Sequence, residues 1–232
     1  MHDPVDFIRA NTELGRATLV PEIALHLARH AQQIFQTAEE FERPLEQRFR
    51  PYWAFAWPGG QATARYLIDN PSLVEGRRVA DIGAGSGIAA IAAAQSGARS
   101  VLAVDVDPVS ASAISLNAAR NGVASAIVVS TDDCLAGTLD VDLVLLSDLV
   151  YEPELALRVG AFLDRAARAD VPVIVGDRLS ARRPARGFVE VARYAAPLTP
   201  ALHDGDAEQG RIWQRCPHRE AVPRRDRGRT LS

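Results

Sequence analysis

The sequence predicts an α/β fold, a doubly wound sheet of mostly parallel strands with helices on both faces. From residue 77 to residue 216, short runs of Val, Ile and Leu alternate with Ala-rich stretches of helical periodicity. The short runs have few polar interruptions, as expected of parallel strands buried on both faces. Such alternation predicts right-handed strand–helix–strand crossovers. A length of 232 residues with 47% apolar residues is typical of one globular domain.

The elements follow in chain order. The expected parallel strands are RRVADIG (77–83), SVLAVDV (100–106), AIVVST (126–131), VDLVLLSD (141–148) and VPVIVGD (171–177). The expected helices between them are SGIAAIAAAQSG (86–97), PVSASAISLNAARNG (108–122) and PELALRVGAFLDRAARAD (153–170). We expect RIWQRC (211–216) to add one antiparallel strand at the edge of the sheet.

The regions on either side of this pattern differ in composition. Residues 1–50 predict an N-terminal helical extension, with Pro21 at a helix start and an apolar face formed by Leu19, Ile23, Leu27, Ile34 and Phe35. Residues 217–232 contain five Arg and two acidic residues, which predicts a disordered tail. Residues 51–216 are therefore expected to form the α/β domain.

Composition excludes several classes of function. A net charge of −3 argues against a general nucleic-acid-binding surface. All 26 basic residues are Arg, so no lysine can serve as a nucleophile or form a Schiff base. Two cysteines, Cys134 and Cys216, do not have the spacing of a zinc site, and we expect no metal. No apolar run is long enough to span a bilayer and no signal peptide is evident, so we expect a cytoplasmic monomer without membrane contact.

A glycine-rich turn follows the first parallel strand. Asp81 precedes Gly83, Gly85 and Gly87, which stand at alternate positions. Glycine allows a sharp turn and the close approach of a ligand to the backbone. A dinucleotide-binding turn has the spacing GxGxxG, whereas here the third glycine comes one residue early. An NAD-dependent oxidoreductase is therefore disfavoured.

Acidic residues follow the next two strands. Asp105 lies 22 residues after Gly83, close to the roughly 20 expected for a carboxylate that binds ribose hydroxyls. Asp107 precedes Pro108 and is assigned to helix capping. Asp132 and Asp133 follow the third strand, and of the two Asp132 is favoured as an acceptor for an adenine amino group.

These acids favour a ligand without phosphate groups, since phosphates would be repelled. S-adenosylmethionine (SAM) combines adenine, ribose and an amino-carboxylate with a sulfonium cation, and we predict it as the cofactor. Asp81, Gly83, Gly85, Asp105 and Asp132 are the expected contacts. DIGAGSG followed by VDVDP resembles the class I, seven-stranded methyltransferases.

The segment PYWAFAWPGG (51–60) places four aromatic residues before Pro-Gly-Gly. Tyr52 and Phe55 are interpreted as a hydrophobic cluster that holds the N-terminal helix on the sheet. Trp57 precedes the glycines, and its indole is expected to stack on adenine or on the sulfonium.

The fourth strand ends in an acid that we expect to face the ligand crevice. Asp148 follows the apolar run VDLVLL, and a carboxylate is seldom buried without a partner. There it would hold a substrate amine, with Tyr151 as an aromatic wall. The alternative is that Asp148 caps the following helix.

Several segments together resemble the electron transfer flavoprotein β-subunit lysine methyltransferases. They are FIRANTE (7–13), Pro21-Glu22-Ile23, PYWAFAWPGGQATARYLIDNP (51–71), SDLVYE (147–152) and VIVGD (173–177). The resemblance implies a seven-stranded Rossmann-like fold and protein-lysine methylation, with the flavoprotein β-subunit, or in bacteria a ribosomal protein, as substrate. It implies Trp57 over the cofactor, Asp148 and Tyr151 as catalytic residues, and Ser147 among the cofactor contacts.

Two other functions stay open at this stage. One is a small-molecule methyltransferase of the nicotinamide type, because the cofactor half alone does not distinguish substrates. The other is a SAM-binding interaction module without catalysis, which the presence of Asp148 and Tyr151 disfavours.

Overall fold

The computed structural model describes residues 3–40, 50–149, 153–178, 187–196 and 208–215. Its helices are α1 (Pro4–Asn11), α2 (Ala31–Glu40), α3 (Pro58–Asp69), α4 (Ile88–Gln95), α5 (Pro108–Arg120) and α6 (Pro153–Arg168). Its strands are β1 (Thr12–Ala17), β2 (Val20–Ala28), β3 (Arg78–Ile82), β4 (Ser100–Val104), β5 (Ile127–Ser130), β6 (Leu143–Ser147), β7 (Val173–Arg178), β8 (Phe188–Ala196) and β9 (Glu208–Arg215).

The central sheet has seven strands in the order β5-β4-β3-β6-β7-β9-β8. Strands β3 to β7 are parallel to one another, and β9 is antiparallel to both β7 and β8. Helix α6 packs on one face, while α3, α4 and α5 pack on the other. The predicted doubly wound fold, its five parallel strands and its three intervening helices are confirmed.

The topology locates a ligand crevice. The chain runs outward from β3 through β4 to β5, and then returns to β6 on the opposite side of β3. Open α/β sheets bind ligands at such a reversal, beyond the carboxyl ends of the strands. The residues that follow β3, β4 and β6 therefore lie together at the carboxyl ends of the parallel strands.

The prediction that RIWQRC forms the sheet edge is wrong in part. The segment lies in β9 and is antiparallel, but β9 is inserted between β7 and β8. Strand β8, which the sequence reasoning did not identify, forms the edge. Residues 189–191 of β8 are all exposed, so the alternation that marks a half-buried strand is interrupted there.

The N-terminal extension contains helices α1 and α2, but the helix expected to start at Pro21 is wrong. Residues 20–28 form β2, which pairs with β1 in an antiparallel hairpin. Ile23 and Leu27, which were placed on a helical face, are four residues apart, and this spacing also fits a strand. Together with Leu25, which is also buried, they lie on one face of β2, because every second residue of a strand lies on the same face.

Asn117 of α5 and Asn121, which caps the C-terminus of α5, hold this hairpin on the domain. Asn121 accepts from Ala24 N at 2.9 Å and donates to Ala24 O at 2.7 Å. Asn117 accepts from His26 N at 2.8 Å and donates to Ser86 O at 2.8 Å. The side-chain amides satisfy one edge of β2 as a neighbouring strand would, and Asn117 links the hairpin to the glycine-rich turn.

The aromatic segment joins the N-terminal helices to the domain, as predicted. Phe55 stacks on Phe35 of α2 with ring centroids 5.9 Å apart, and Tyr52 meets the same ring edge-on at 6.3 Å. Trp53 meets Phe7 of α1 at 6.4 Å.

Two of the earlier predictions, the tail over 217–232 and the catalytic Tyr151, lie outside the described residues. Within the described part of the chain, no helix has the length and apolar character needed to cross a membrane.

Candidate cofactor and substrate site

The glycine-rich turn after β3 requires glycine for two reasons. Gly83 and Gly85 have φ angles of +70° and +52°, a region that L side chains rarely adopt. A Cβ at Gly83 would lie 2.5 Å from Leu149 Cδ1, so the turn is also closely covered. Gly83 N donates to Val104 O at 2.8 Å and ties the turn to β4. The turn therefore lies directly against the residues that follow β6.

Asp81 is buried beneath this turn with one oxygen unsatisfied. Its side chain is 1% exposed, and Oδ2 accepts from Ala90 N at 3.0 Å in the first turn of α4. Oδ1 has no hydrogen-bond partner among the described residues. Burial, reinforced by the nearby charge of Asp105, raises the pKa of Asp81 to about 7. Such a buried acceptor is suited to a polar or cationic ligand group.

Replacing Asp81 by Asn should stabilise the protein without ligand while weakening SAM binding. Because the pKa of Asp81 is raised by folding, its contribution to stability is present at low pH and is lost as the pH rises from about 4 to about 7. Asn carries no charge and its Oδ1 can still accept from Ala90 N. Denaturant unfolding at pH 5 and pH 8 should show a larger gain at pH 8. An equal effect at both pH values would contradict a raised pKa in the native state.

Asp105 and Asp107 organise the turn after β4. Asp105 accepts from Gly85 N at 2.9 Å and from Asp107 N at 3.0 Å. Asp107 Oδ1 accepts from Val109 N at 2.9 Å, which confirms its assignment as the cap of α5. Each carboxylate oxygen can accept more than one hydrogen bond. Asp105 can thus hold the glycine turn and still receive hydroxyl groups.

The two acids after β5 differ in the interactions that their carboxylates make. Asp133 caps the short 3-10 helix Cys134–Ala136 and forms an ion pair with Arg158. Asp132 is exposed, and Oδ2 accepts from the hydroxyl of Ser130 at 2.8 Å. Asp132 therefore has the greater remaining capacity to accept hydrogen bonds. Its contact with adenine stays a prediction.

Asp148 is held in an unusual backbone conformation at the end of β6. Its φ angle is +50°, which is uncommon for a residue other than glycine. Oδ2 accepts from Gly60 N at 3.0 Å, so the carboxylate lies at the N-terminus of α3 and not on the helix that follows it. Oδ1 is buried and has no hydrogen-bond partner among the described residues. Burial first, and then the charge of Asp177, raise the pKa of Asp148 to about 7.

Three glycines allow α3 to come this close to the sheet. A Cβ at Gly59 would lie 2.7 Å from Asp148 Oδ2, and one at Gly176 would lie 2.5 Å from Gly59 O. A Cβ at Gly210 of β9 would lie 2.5 Å from Ala62 Cβ. The Pro-Gly-Gly sequence therefore serves to seat the helix N-terminus on Asp148.

Trp57 precedes α3 at the rim of this site. Its indole Nε1 donates to Tyr52 O at 2.9 Å. The guanidinium carbon of Arg178 lies 5.4 Å from the centre of the indole ring, within cation–π range. The cation that the ring contacts in this structure is Arg178. Its contact with cofactor stays a prediction.

Ser147, the remaining predicted cofactor contact, turns toward α3. Its hydroxyl donates to Thr63 Oγ1 at 3.0 Å, and Thr63 in turn donates to Gly59 O at 2.9 Å. Its role in binding cofactor also stays a prediction.

Asp177 belongs to this site but was not assigned a role from the sequence. It is 7% exposed at the end of β7, and burial raises its pKa to about 6. Its Oδ1 accepts a hydrogen bond from Arg178 N at 2.8 Å. The signal was present in VIVGD, because an acid at the carboxyl end of a parallel strand was the same feature that identified Asp105.

The residues present fit SAM. Glycines in left-handed conformations leave room for close approach, Asp81 offers an unsatisfied buried oxygen, and Asp105 can receive ribose hydroxyls. Over the described residues, no group of His, Cys, Asp and Glu is arranged to hold a metal ion.

Comparison with known proteins agrees with this geometry. The family model for ribosomal protein L11 methyltransferase (PrmA) matches residues 66–150. An electron transfer flavoprotein beta subunit lysine methyltransferase of Rattus norvegicus is 32% identical over 213 residues, 89% of this chain and 82% of that protein. The protein of the same name from Danio rerio is 40% identical over 178 residues, 75% of this chain and 67% of that protein.

Among solved structures, the ribosomal protein L11 methylase of Lactobacillus delbrueckii subsp. bulgaricus is similar in fold. It has a TM-score of 0.54 and 25% sequence identity, and the match covers 86% of this chain and 97% of that chain. The similarity thus extends over the sheet and the site, beyond the glycine-rich turn alone.

Proposed function

Because this chain belongs to the electron transfer flavoprotein β-subunit lysine methyltransferase family and is a SAM-dependent methyltransferase, we propose that it methylates lysine side chains of the electron transfer flavoprotein β-subunit. One observation supports the binding of a lysine. The buried carboxylate of Asp148, which has one oxygen without a hydrogen bond among the described residues, lies at the same end of the parallel strands as the glycine turn. A carboxylate there suits a cationic amine.

The chemical difficulty is the protonation of the nucleophile. A free lysine with a pKa of about 10.4 is neutral in only about one molecule in 2,500 at pH 7. SAM, when bound, supplies an activated methyl group on a cationic sulfur. The protein must therefore exclude water, orient the lysine nitrogen and hold the proton that it loses. Asp148, with its raised pKa, is suited to hold a proton near neutral pH.

The substrate must be another molecule, because this chain contains no lysine side chain. The purified protein should be incubated with SAM carrying a labelled methyl group and with one of three acceptors. These are the flavoprotein β-subunit, ribosomal protein L11, which the family model over 66–150 suggests as the second candidate, and nicotinamide. Label on lysines of the flavoprotein subunit supports the proposal. Label confined to L11 or to nicotinamide would overturn it.

Replacing Asp105 by Ala should weaken SAM binding by at least about 10-fold. Each lost hydrogen bond to a charged acceptor is worth about 1.5–3 kcal/mol, and Gly85 N also loses its acceptor. Calorimetric titration with SAM and with its demethylated product measures the change. Asp164→Ala, on the exposed side of α6, is the matched control and should bind normally. Unchanged affinity in Asp105→Ala would remove Asp105 from the cofactor site.

A further inference from the structure

Asp148 and Asp177 lie side by side at the carboxyl edge of the sheet. Their preceding residues, Ser147 and Gly176, are partners in the parallel pairing of β6 and β7. Asp148 N donates to Gly176 O at 2.9 Å and continues that pairing by one residue. Neighbouring strands are about 4.8 Å apart, and the charge of Asp177 raises the pKa of Asp148, so the two carboxyls are close enough to interact.

The surroundings of this carboxyl pair supply limited compensation for two negative charges. Gly60 N donates to Asp148, and Arg178 N donates to Asp177. A hydrogen bond from the Gly59 backbone also lowers the pKa of Asp148. The Arg178 side chain lowers the pKa of both carboxyls, although it is also placed over the Trp57 ring.

The arginine of the neighbouring strand β9 interacts with other groups. Arg211 is the pairing partner of Asp177 in that strand. Its Nη1 lies 3.6 Å from Glu190 Oε2 of β8, and its guanidinium carbon lies 5.9 Å from the centre of the Trp213 ring. The two carboxyls thus share one arginine, and one oxygen of Asp148 has no hydrogen-bond partner among the described residues. A further cation can therefore bind there.

We propose that Asp177 acts with Asp148 as a carboxyl pair that binds the ε-ammonium group of the substrate lysine and holds the proton that this group loses. Repulsion between the two like charges favours a state in which the pair carries one proton and one negative charge. The ammonium N–H bond breaks and its proton passes to the ionised carboxyl. The nitrogen lone pair then forms the N–C bond to the methyl group, while the S–C bond breaks and its electron pair stays on sulfur. The proton leaves to solvent when the methylated lysine departs.

This inference rests on the proposed lysine methylation, but one of its tests is independent of activity. Carbon-13 NMR of protein labelled at aspartate carboxyl carbons, recorded without cofactor, follows the titration of Asp148. In Asp177→Asn the repulsion from Asp177 is gone, so the Asp148 midpoint should fall, whereas Asp164→Asn should leave it in place. An unchanged midpoint in Asp177→Asn would show that the two carboxyls are not coupled, and would overturn the proposal.

The second test is the pH profile of single-turnover methyl transfer. Asp177→Asn should lower the rate about 10-fold or more at pH 7, with a smaller deficit near pH 10, where free lysine is increasingly neutral. A deficit equal at all pH values would indicate a structural role and would overturn the pair. If the wild-type protein methylates no lysine of the flavoprotein subunit, the proposed function fails, and the NMR result still decides whether the carboxyls are coupled.

Discussion

Asp148→Asn should reduce methyl transfer to the flavoprotein β-subunit by about 10²-fold or more, while the protein stays folded. The amide oxygen of Asn can still accept from Gly60 N, so the seat of α3 is kept. The variant loses the negative charge that attracts an ammonium group and the ability to take its proton. A rate loss of this size is usual when a general acid–base group is removed. Single-turnover assays measure the chemical step without interference from product release.

Stability measurements separate this loss from unfolding. The pKa of Asp148 is raised to about 7 in the folded state, so its stabilising contribution is lost as the pH rises from about 4 to about 7. Asp148→Asn should therefore unfold at a higher denaturant concentration than the wild type at pH 8. Full activity in this folded variant would assign Asp148 to holding α3 and would leave Asp177 without its partner in the carboxyl pair.

Gly176→Ala should destabilise the protein by about 2–3 kcal/mol or more, because the added methyl group has no space. Its Cβ would lie 2.5 Å from Gly59 O and would overlap Thr63 Oγ1. Thr63 is buried and hydrogen-bonded to Gly59 O and Ser147, so α3 itself would have to move. Because Gly176 O also accepts from Asp148 N, methyl transfer should fall with stability.

Gly160→Ala is the matched control for this change. Gly160 lies within α6, and a Cβ there would meet nothing within 4 Å. Alanine favours a helix over glycine by about 0.5–1 kcal/mol, so this variant should be slightly more stable. Thermal unfolding of both variants measures the contrast. A Gly176→Ala protein as stable as the wild type would show that α3 is not held as closely as the structure indicates.

The sheet and the acids at the carboxyl ends of its strands could be predicted from the sequence because they depend on local patterns. Buried parallel strands appear as continuous apolar runs, and an acid directly after such a run must lie at the carboxyl edge. Asp105 follows from this rule, whereas Asp81 was identified by the glycine spacing and Asp107 by the proline that follows it. Where a spacing fits two periods, as at Ile23 and Leu27, the prediction of a helix was wrong, because pairing with β1 holds these residues in a strand.

The surroundings of Asp148 were decided by tertiary contacts. The sequence by itself determined a doubly wound methyltransferase-like sheet, a glycine turn and a set of acids at the carboxyl ends of the strands. Each strand, turn and acid position is encoded by a short run of adjacent residues, and their alternation predicts the sheet. Only the folded structure decided that Gly59 and Gly176 bring α3 against Asp148, and that Asp177 stands beside it. These residues are far apart in the chain, and their pKa values depend on burial and on neighbouring charges that only packing creates.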